Sequence, residues 1–377
     1  MDFDFSPEQQ QLKDQARRFL ADQCSRTAVR AVLDGPQAFD AKLWAGLAGQ
    51  GYLGAAIPEA YGGLGAGTLE LCVVAEELGR ALAPVPFSSS IAVAAELLLQ
   101  AGTEAQKQRW LPALASGEVI GTLALSERPG QATPASITSR VAKGLLTGTK
   151  LPVADGDIAH LVVVAARAEG DAPETISLFL VEIGGRAAAG VQRQTLPSID
   201  PTRSQARITF DAVAAEPLGQ PGSGWQALGA VMDRAAVLMA FEQIGGADKA
   251  LEAACAYAQE RFAFGRPIGS LQAIKHMLAD MYVSATLARS NAYWAAWALN
   301  TGAPELPQAA AAARVSATQA YQHCARNNIQ VHGGMGFTWE FDCHLHYRRA
   351  NGLALALGSQ RHWEDLLIER LRLQRAA

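Results

Sequence analysis

The chain is poor in cysteine, in charge of either sign and in long apolar runs, and each shortage removes a class of protein. Its 377 residues include five cysteines, Cys24, Cys72, Cys255, Cys324 and Cys343. They are odd in number, scattered and never arranged as C-x-x-C, which argues against a disulfide framework or a cysteine zinc site and suits a reducing cytoplasm. Lysine and arginine total 32 against 36 acidic residues, a net charge of −4. Without a basic run there is no footprint for counterion release, so no nucleic-acid partner is expected. No apolar stretch approaches the roughly 18 residues that cross a bilayer, so no membrane segment is expected either. The acidic start Met1-Asp2-Phe3-Asp4-Phe5 lacks the basic and apolar regions of a secretory signal. Together these readings predict a cytoplasmic protein.

What remains is ample material for a packed core. Hydrophobic residues make up 49% and charged residues 18%, a globular balance, and at ~150 residues per domain the length allows two to three domains. Residues 7–117 carry helical periodicity, starting at Ser6-Pro7, a cap followed by proline at the first helical position. Clusters of Gly, Pro and Ser predict loops at 58–67 and 84–90. From Val119 the pattern turns to short β-branched runs at 119–125, 160–166, 176–183 and 205–210, which predict a small antiparallel β domain. After Gly222-Ser223-Gly224 helical spacing returns over 225–264, from Leu271 onward, over 309–328, and in a final pair at 342–357 and 360–373. The predicted fold is mainly α with a small β domain. Its parts are an N-terminal helical domain (1–117), a middle antiparallel β domain (118–222) and a C-terminal antiparallel four-helix bundle (223–377).

Two motifs invite a chemical reading. His332-Gly333-Gly334-Met335-Gly336-Phe337 follows a helix and lacks G-x-G-x-x-G spacing, so it is no Rossmann loop. It is either a tight interhelical turn or a place where a ligand approaches the backbone closely, as glycine permits. Arg261-Phe262-Ala263-Phe264-Gly265-Arg266-Pro267-Ile268-Gly269 ends a helix. It reads as a C-terminal turn with dipole-favoured cations, or as a seat for an anionic planar ligand gripped by guanidinium forks and rings. The histidines near His344-x-His346 have poor ligand spacing and H-E-x-x-H is absent, so no metal is expected. Gly-x-Ser-x-Gly is absent too, which leaves a hydrolase elbow unsupported.

Taken together, the motifs resemble the acyl-CoA dehydrogenase family over essentially the whole chain. The resemblance lies in residues 5–20, Pro58-Glu59-Ala60-Tyr61-Gly62-Gly63-Leu64-Gly65, residues 261–272, Leu278-Ala279-Asp280-Met281 and residues 330–337, in the family's order. It implies an oligomer, dimer or tetramer, that binds FAD, takes an acyl-CoA substrate and passes electrons to an electron-transfer acceptor. By position it implies cofactor roles for Arg261, Phe264 and Gln272, for Gln330 and Gly334, and for Ser126 and Ser359. Asp233 matches an aspartate that helps hold the CoA moiety.

The departures from the family pattern matter as much. Spacing from Gln330 puts Leu357 where members usually carry the catalytic glutamate, and the alternative base position on the first bundle helix is Ala235, followed by Ala236 in place of an arginine. The segment Ser126-Glu127-Arg128-Pro129-Gly130-Gln131-Ala132-Thr133 is a reduced form of a flavin-side motif. Pro152-Val153-Ala154 stands where a Trp-Ile-Thr strand packs on the flavin ring. This pattern resembles the base-lacking subunit of two-gene acyl-CoA dehydrogenases, which works with a second dehydrogenase chain. Two alternatives stay open: a self-sufficient homomeric flavoenzyme with a non-standard base, for which Glu242 is the candidate, and an inactive acyl-CoA-binding scaffold.

Overall fold

The computed structural model describes residues 5–169, 172, 175–184 and 189–376. The acidic start at residues 1–4 lies outside them.

The first helices begin where local caps dictate. In α1 (Pro7–Gln23) the Ser6 hydroxyl accepts from the Gln9 amide at 3.3 Å while the Gln9 side chain accepts from the Ser6 amide at 3.0 Å. This reciprocal box satisfies two donors that a helix start leaves open. After α2 (Arg26–Leu33), the Asp40 carboxylate caps α3 (Ala41–Gly49) through the Leu43 amide at 2.9 Å. Then follow α4 (Thr68–Ala81), α5 (Glu96–Ala101) and α6 (Glu104–Ala115), the last opened by a second box between Thr103 and Gln106. The loop expected at 58–67 holds one short 3-10 turn, Glu59–Tyr61. The loop expected at 84–90 needs correction: Ser88–Ala95 forms a π-helix. Its serines are tethered sideways, Ser89 Oγ to Asp155 Oδ2 at 2.6 Å and Ser90 Oγ to the Gly121 amide at 3.1 Å, which accounts for helix among turn-forming residues.

The middle of the chain supplies β1 (Gly121–Ala124), β2 (Arg140–Ala142), β3 (Leu145–Ala154), β4 (Leu161–Ala168), β5 (Ser177–Glu182), β6 (Val191–Thr195), β7 (Gln205–Ala214) and β8 (Glu216–Leu218). Their order is β6-β7-β3-β2-β4-β5-β8, with β1 also on β4. The sheet pairs antiparallel, as expected, except at β1–β4 and β2–β4, which run parallel. Val162, Val164, Phe179, Val181, Ile208 and Phe210 fill the core of this sheet.

The rest is helical: α7 (Gly224–Glu260), a two-stranded hairpin of β9 (Phe262–Ala263) and β10 (Arg266–Pro267), α8 (Gln272–Thr301), α9 (Leu306–His332), α10 (Cys343–Leu355) and α11 (Gln360–Ala376). Small alanines carry the packing of this bundle, among them Ala247, Ala250, Ala254, Ala285 and Ala325. Contacts divide the chain into two compact units. The helical unit holds Met1–Arg30, Thr68–Ala83 and Ala236–Ala377, and the sheet-containing unit holds Ala31–Gly67 and Pro84–Ala235. Among the described residues no helix is long and apolar enough to cross a membrane.

Candidate functional site

Within the helical unit, the ends of α7 and α9 are joined by rings. Tyr257 stacks on His332 with centroids 4.0 Å apart, and Phe341 meets both edge-on. His332 Nδ1 is 2.8 Å from the Asn328 carbonyl, so this nitrogen carries the proton and donates. Burial lowers the ring's pKa, which keeps it neutral. The two motifs read from the sequence leave the bundle from this joint.

The first is the β9–β10 hairpin. Ala263 pairs with Arg266, and the two residues between them, Phe264 and Gly265, both have positive φ (53° and 74°), the geometry of a two-residue hairpin turn. The Phe264 side chain is 91% exposed, with Phe262 also exposed beside it. Arg261 and Arg266 are exposed, and neither has a side-chain hydrogen bond or ion pair among the described residues. Gln272 opens α8 and is exposed. The second motif starts at exposed Gln330 in the last turn of α9 and continues through a 3-10 turn, Gly333–Phe337. A Cβ placed on Gly334 would meet nothing within 4 Å. Under the hairpin, a cleft of about 350 Å³ is lined by Cys255, Ala258, Gln259, Pro267, Gly269 and Leu278.

A third element of the helical unit is the turn between α10 and α11. Leu357 sits there with φ 58°, half-buried against the helical core, followed by Gly358 with φ 103°. Trp363 Nε1 donates to the Leu357 carbonyl at 3.1 Å. Exposed Ser359 serves the start of α11, its hydroxyl accepting from the His362 amide at 3.3 Å. Deeper in, Glu242 is ion-paired with Arg349.

The sheet-containing unit carries Ser126, Asp233 and Ala235. The Ser126 carbonyl accepts from the Leu151 amide at 2.9 Å. Next to it, Glu127 accepts from the Thr138 and Ser139 amides at 2.8 and 2.9 Å and from Lys150 Nζ at 2.8 Å. Against the cost of burial, the bonds from Lys150, Thr138 and Ser139 bring the Glu127 carboxyl down to about 2. Lys150 is fully buried and also donates to the Leu125 and Ala165 carbonyls, so it ties the 125–127 segment to the sheet. Along β3, Pro152 and Ala154 are exposed and Val153 is buried. Asp233 and Ala235 are buried on α7.

Lys150, Arg314 and Arg349 were not singled out from the sequence. The available signal was a lone cation inside an apolar stretch, as with Arg314 in the alanine-rich run 309–320.

Comparison with known proteins agrees along the chain. A family model described as "Acyl-CoA dehydrogenase, N-terminal domain" matches residues 6–118, and one described as "Acyl-CoA dehydrogenase, C-terminal domain" matches residues 222–371. Acyl-CoA dehydrogenase IpdE2 of Mycobacterium tuberculosis is 35% identical over 356 residues, covering 94% of this chain and 94% of that protein. A variant of the Tcur3481-Tcur3483 steroid ACAD is similar in structure, with TM-score 0.87 and 31% identity over 98% of this chain and 99% of that one. The ChsE4-ChsE5 complex of Mycobacterium tuberculosis gives TM-score 0.88 and 27% identity, covering 99% of each chain.

Proposed function

The chain belongs to the acyl-CoA dehydrogenase family, FAD-dependent oxidoreductases that act on CH–CH groups, and we propose that it is the base-lacking subunit of a two-chain enzyme that dehydrogenates a steroid acyl-CoA. The reaction needs a base at the α carbon, whose acidity the thioester raises, and a two-electron acceptor, which bound FAD supplies. Leu357 carries the reading. The turn after α10, where members usually carry a glutamate, bears an apolar side chain packed on the helical core, and Ala235 offers no carboxylate at the alternative place. Glu242 is committed to Arg349. A carboxylate for the α proton therefore comes from a second chain. The names Tcur3481-Tcur3483 and ChsE4-ChsE5 each join two chains and the first is called a steroid ACAD, which supports both the pairing and the acyl class.

The residues fit FAD at its phosphate and adenosine end. Arg261 and Arg266 offer unpartnered guanidinium forks for phosphate, Phe264 offers a bare ring, and nothing in this chain's own packing calls for glycine at Gly334. To that end we assign Arg261, Phe264, Gln272, Gln330 and Gly334; Ser126, from the flavin-side motif, and Ser359 are assigned as cofactor hydroxyl contacts, and Asp233 is assigned toward CoA. At the ring end the donor set is thin, since exposed Pro152 and Ala154 offer neither ring nor hydroxyl. The partner chain completes that end.

The test is the visible spectrum and native mass of the chain purified alone and with a dehydrogenase chain that carries the glutamate. Alone it is expected to hold little flavin and to leave steroid acyl-CoA unchanged; with the partner, flavin and turnover appear together. A flavin-loaded homo-oligomer that oxidises acyl-CoA by itself overturns the reading.

A further inference from the structure

Arg314, on α9, is 1% exposed. One terminal nitrogen of its guanidinium donates to Gln243 Oε1 at 2.7 Å and to Thr318 Oγ1. The other donates to the Leu353 carbonyl and, at 2.8 Å, to the Ala356 carbonyl. These two carbonyls belong to the end of α10, the negative pole of that helix. The next residue is Leu357, whose own carbonyl is held by Trp363. The peptide groups on both sides of the Leu357 Cα are thus pinned by buried side chains from α9 and α11. Such pinning keeps Leu357 and Gly358 at φ 58° and 103°, a region that a leucine adopts only when its surroundings over-determine it.

The charge on Arg314 is as notable as its reach. Among the described residues no carboxylate lies within ion-pair distance of it, and Glu242, next in sequence to its partner Gln243, is paired with Arg349. Burial pushes the guanidinium down to about 10, with the charge of Glu242 opposing, so it stays protonated near neutrality. Its own hydrogen bonds go to neutral oxygens and the helix end, with Glu242 acting on it only through its charge.

We propose that Arg314 is the positioning residue of the 356–358 turn: its fork sets the Ala356 peptide, and its charge, hydrogen-bonded to neutral oxygens alone, is placed to hold a carboxylate at position 357 ionised, where this chain carries leucine. The inference rests on reading position 357 as the place of the missing base. Arg314 acts through backbone carbonyls and is not itself a catalytic residue.

The full-length chain carrying Leu357→Glu tests the charge. Its new carboxyl is assigned by difference from the wild type with ¹³C-labelled glutamate and titrated by NMR, alone and combined with Arg314→Met or Arg314→Lys. With Arg314 in place the carboxyl titrates at or below the ordinary glutamate value of about 4.3. Arg314→Met raises it by about one unit or more, a tenfold change in proton affinity, while Arg314→Lys keeps it low. An unchanged titration with methionine overturns the charge role.

The fork is tested separately in the wild-type background by Arg314→Lys, which conserves charge and suits the fold better than methionine. Lysine cannot span both carbonyls, so the Trp363 indole N–H resonance shifts as the turn relaxes; an unmoved resonance overturns the positioning role. Neither readout depends on flavin. If the titrations behave as expected but Leu357→Glu gains no turnover when assembled with a partner chain whose own glutamate is replaced by glutamine, it is the reading of position 357 as the base site that fails, and Arg314 keeps its role.

Discussion

Arg349 Nη1 lies 3.3 Å from Glu242 Oε1 inside the helical unit, where the two side chains are 1% and 3% exposed. The other Nη of Arg349 reaches the Leu82 and Ala83 carbonyls at 3.3 and 3.4 Å, so one guanidinium links α7, α10 and the chain leaving α4. A carboxylate so placed holds the fold together. Removing one member of a buried pair strands the other, and Glu242→Gln or Arg349→Met should each destabilise by about 3–5 kcal/mol. The double variant should lose less than the two singles combined, as urea denaturation of all four proteins will read. If Glu242→Gln abolished turnover of the assembled enzyme with stability unchanged, Glu242 would be a base after all.

Much of the helical framework is legible locally. Ser6-Pro7, Asp40 and Thr103 cap helices through contacts within three residues, and such signals survive without tertiary context. Where the reading fails, distant partners decide. The π-helix at Ser88–Ala95 is anchored by Asp155 and the Gly121 amide, far along the chain. Strand β3 escapes periodicity because Gly148 and Pro152 interrupt it, and its register shifts beside both. The helix predicted over 225–264 ends instead at Glu260, because Phe264-Gly265 turn the chain back. The site divides in the same way. Arg261, Phe264, Gln330 and Gly334 stand out as motifs, whereas Arg314 and Arg349 look like surface charges until their buried partners are known.

Acid should weaken the protein in two separate windows. His346 is buried, with Nδ1 3.1 Å from the Tyr321 hydroxyl and Nε2 facing Arg26 at 3.5 Å. Burial, then the charges of Arg26, Arg349, Lys249 and Arg80, push its pKa well below the ordinary 6.5. The unfolded chain therefore takes up this proton first. The stabilisation is full above about 6.5 and is lost as pH falls below it. Glu127, lowered from 4.5 to about 2, contributes above 4.5 and loses that contribution between the two values. Urea midpoints measured at pH 8, 5.5 and 3.5 should fall in two stages. His346→Gln should shrink the first stage, to which buried His332 also contributes, and Glu127→Gln the second; a first stage of undiminished size in His346→Gln refutes the assignment to His346.

Helices α4 and α7 cross at two glycines. A Cβ on Gly79 would lie 1.8 Å from the Glu242 carbonyl oxygen, and one on Gly245 would lie 1.9 Å from that of Glu76. Alanine ordinarily favours a helix over glycine by about 1 kcal/mol. Here it forces two backbones apart, and overpacking of this kind costs about 1–3 kcal/mol. Gly79→Ala and Gly245→Ala should both lower the melting temperature. Gly229→Ala supplies the control, since its Cβ meets nothing within 4 Å on the same α7, and it should raise stability slightly.

The hairpin tip offers the sharpest separation of folding from function. Phe264 has φ 53° and its ring is in solvent, so within this chain the residue bears backbone strain with little burial in return. Asparagine tolerates that conformation, and Asn-Gly is the preferred pair for such a turn. Phe264→Asn should therefore leave the isolated chain as stable as before, or more so by up to about 1 kcal/mol. The same change removes the ring assigned to the adenosine end of FAD. With the partner chain present, flavin per complex should fall and be recovered only at higher added FAD, while the melting temperature of the isolated chain holds or rises. A chain that melts earlier would mean that the ring packs within its own subunit; unchanged flavin retention would remove Phe264 from the cofactor site and leave the strained tip without a ligand to explain it.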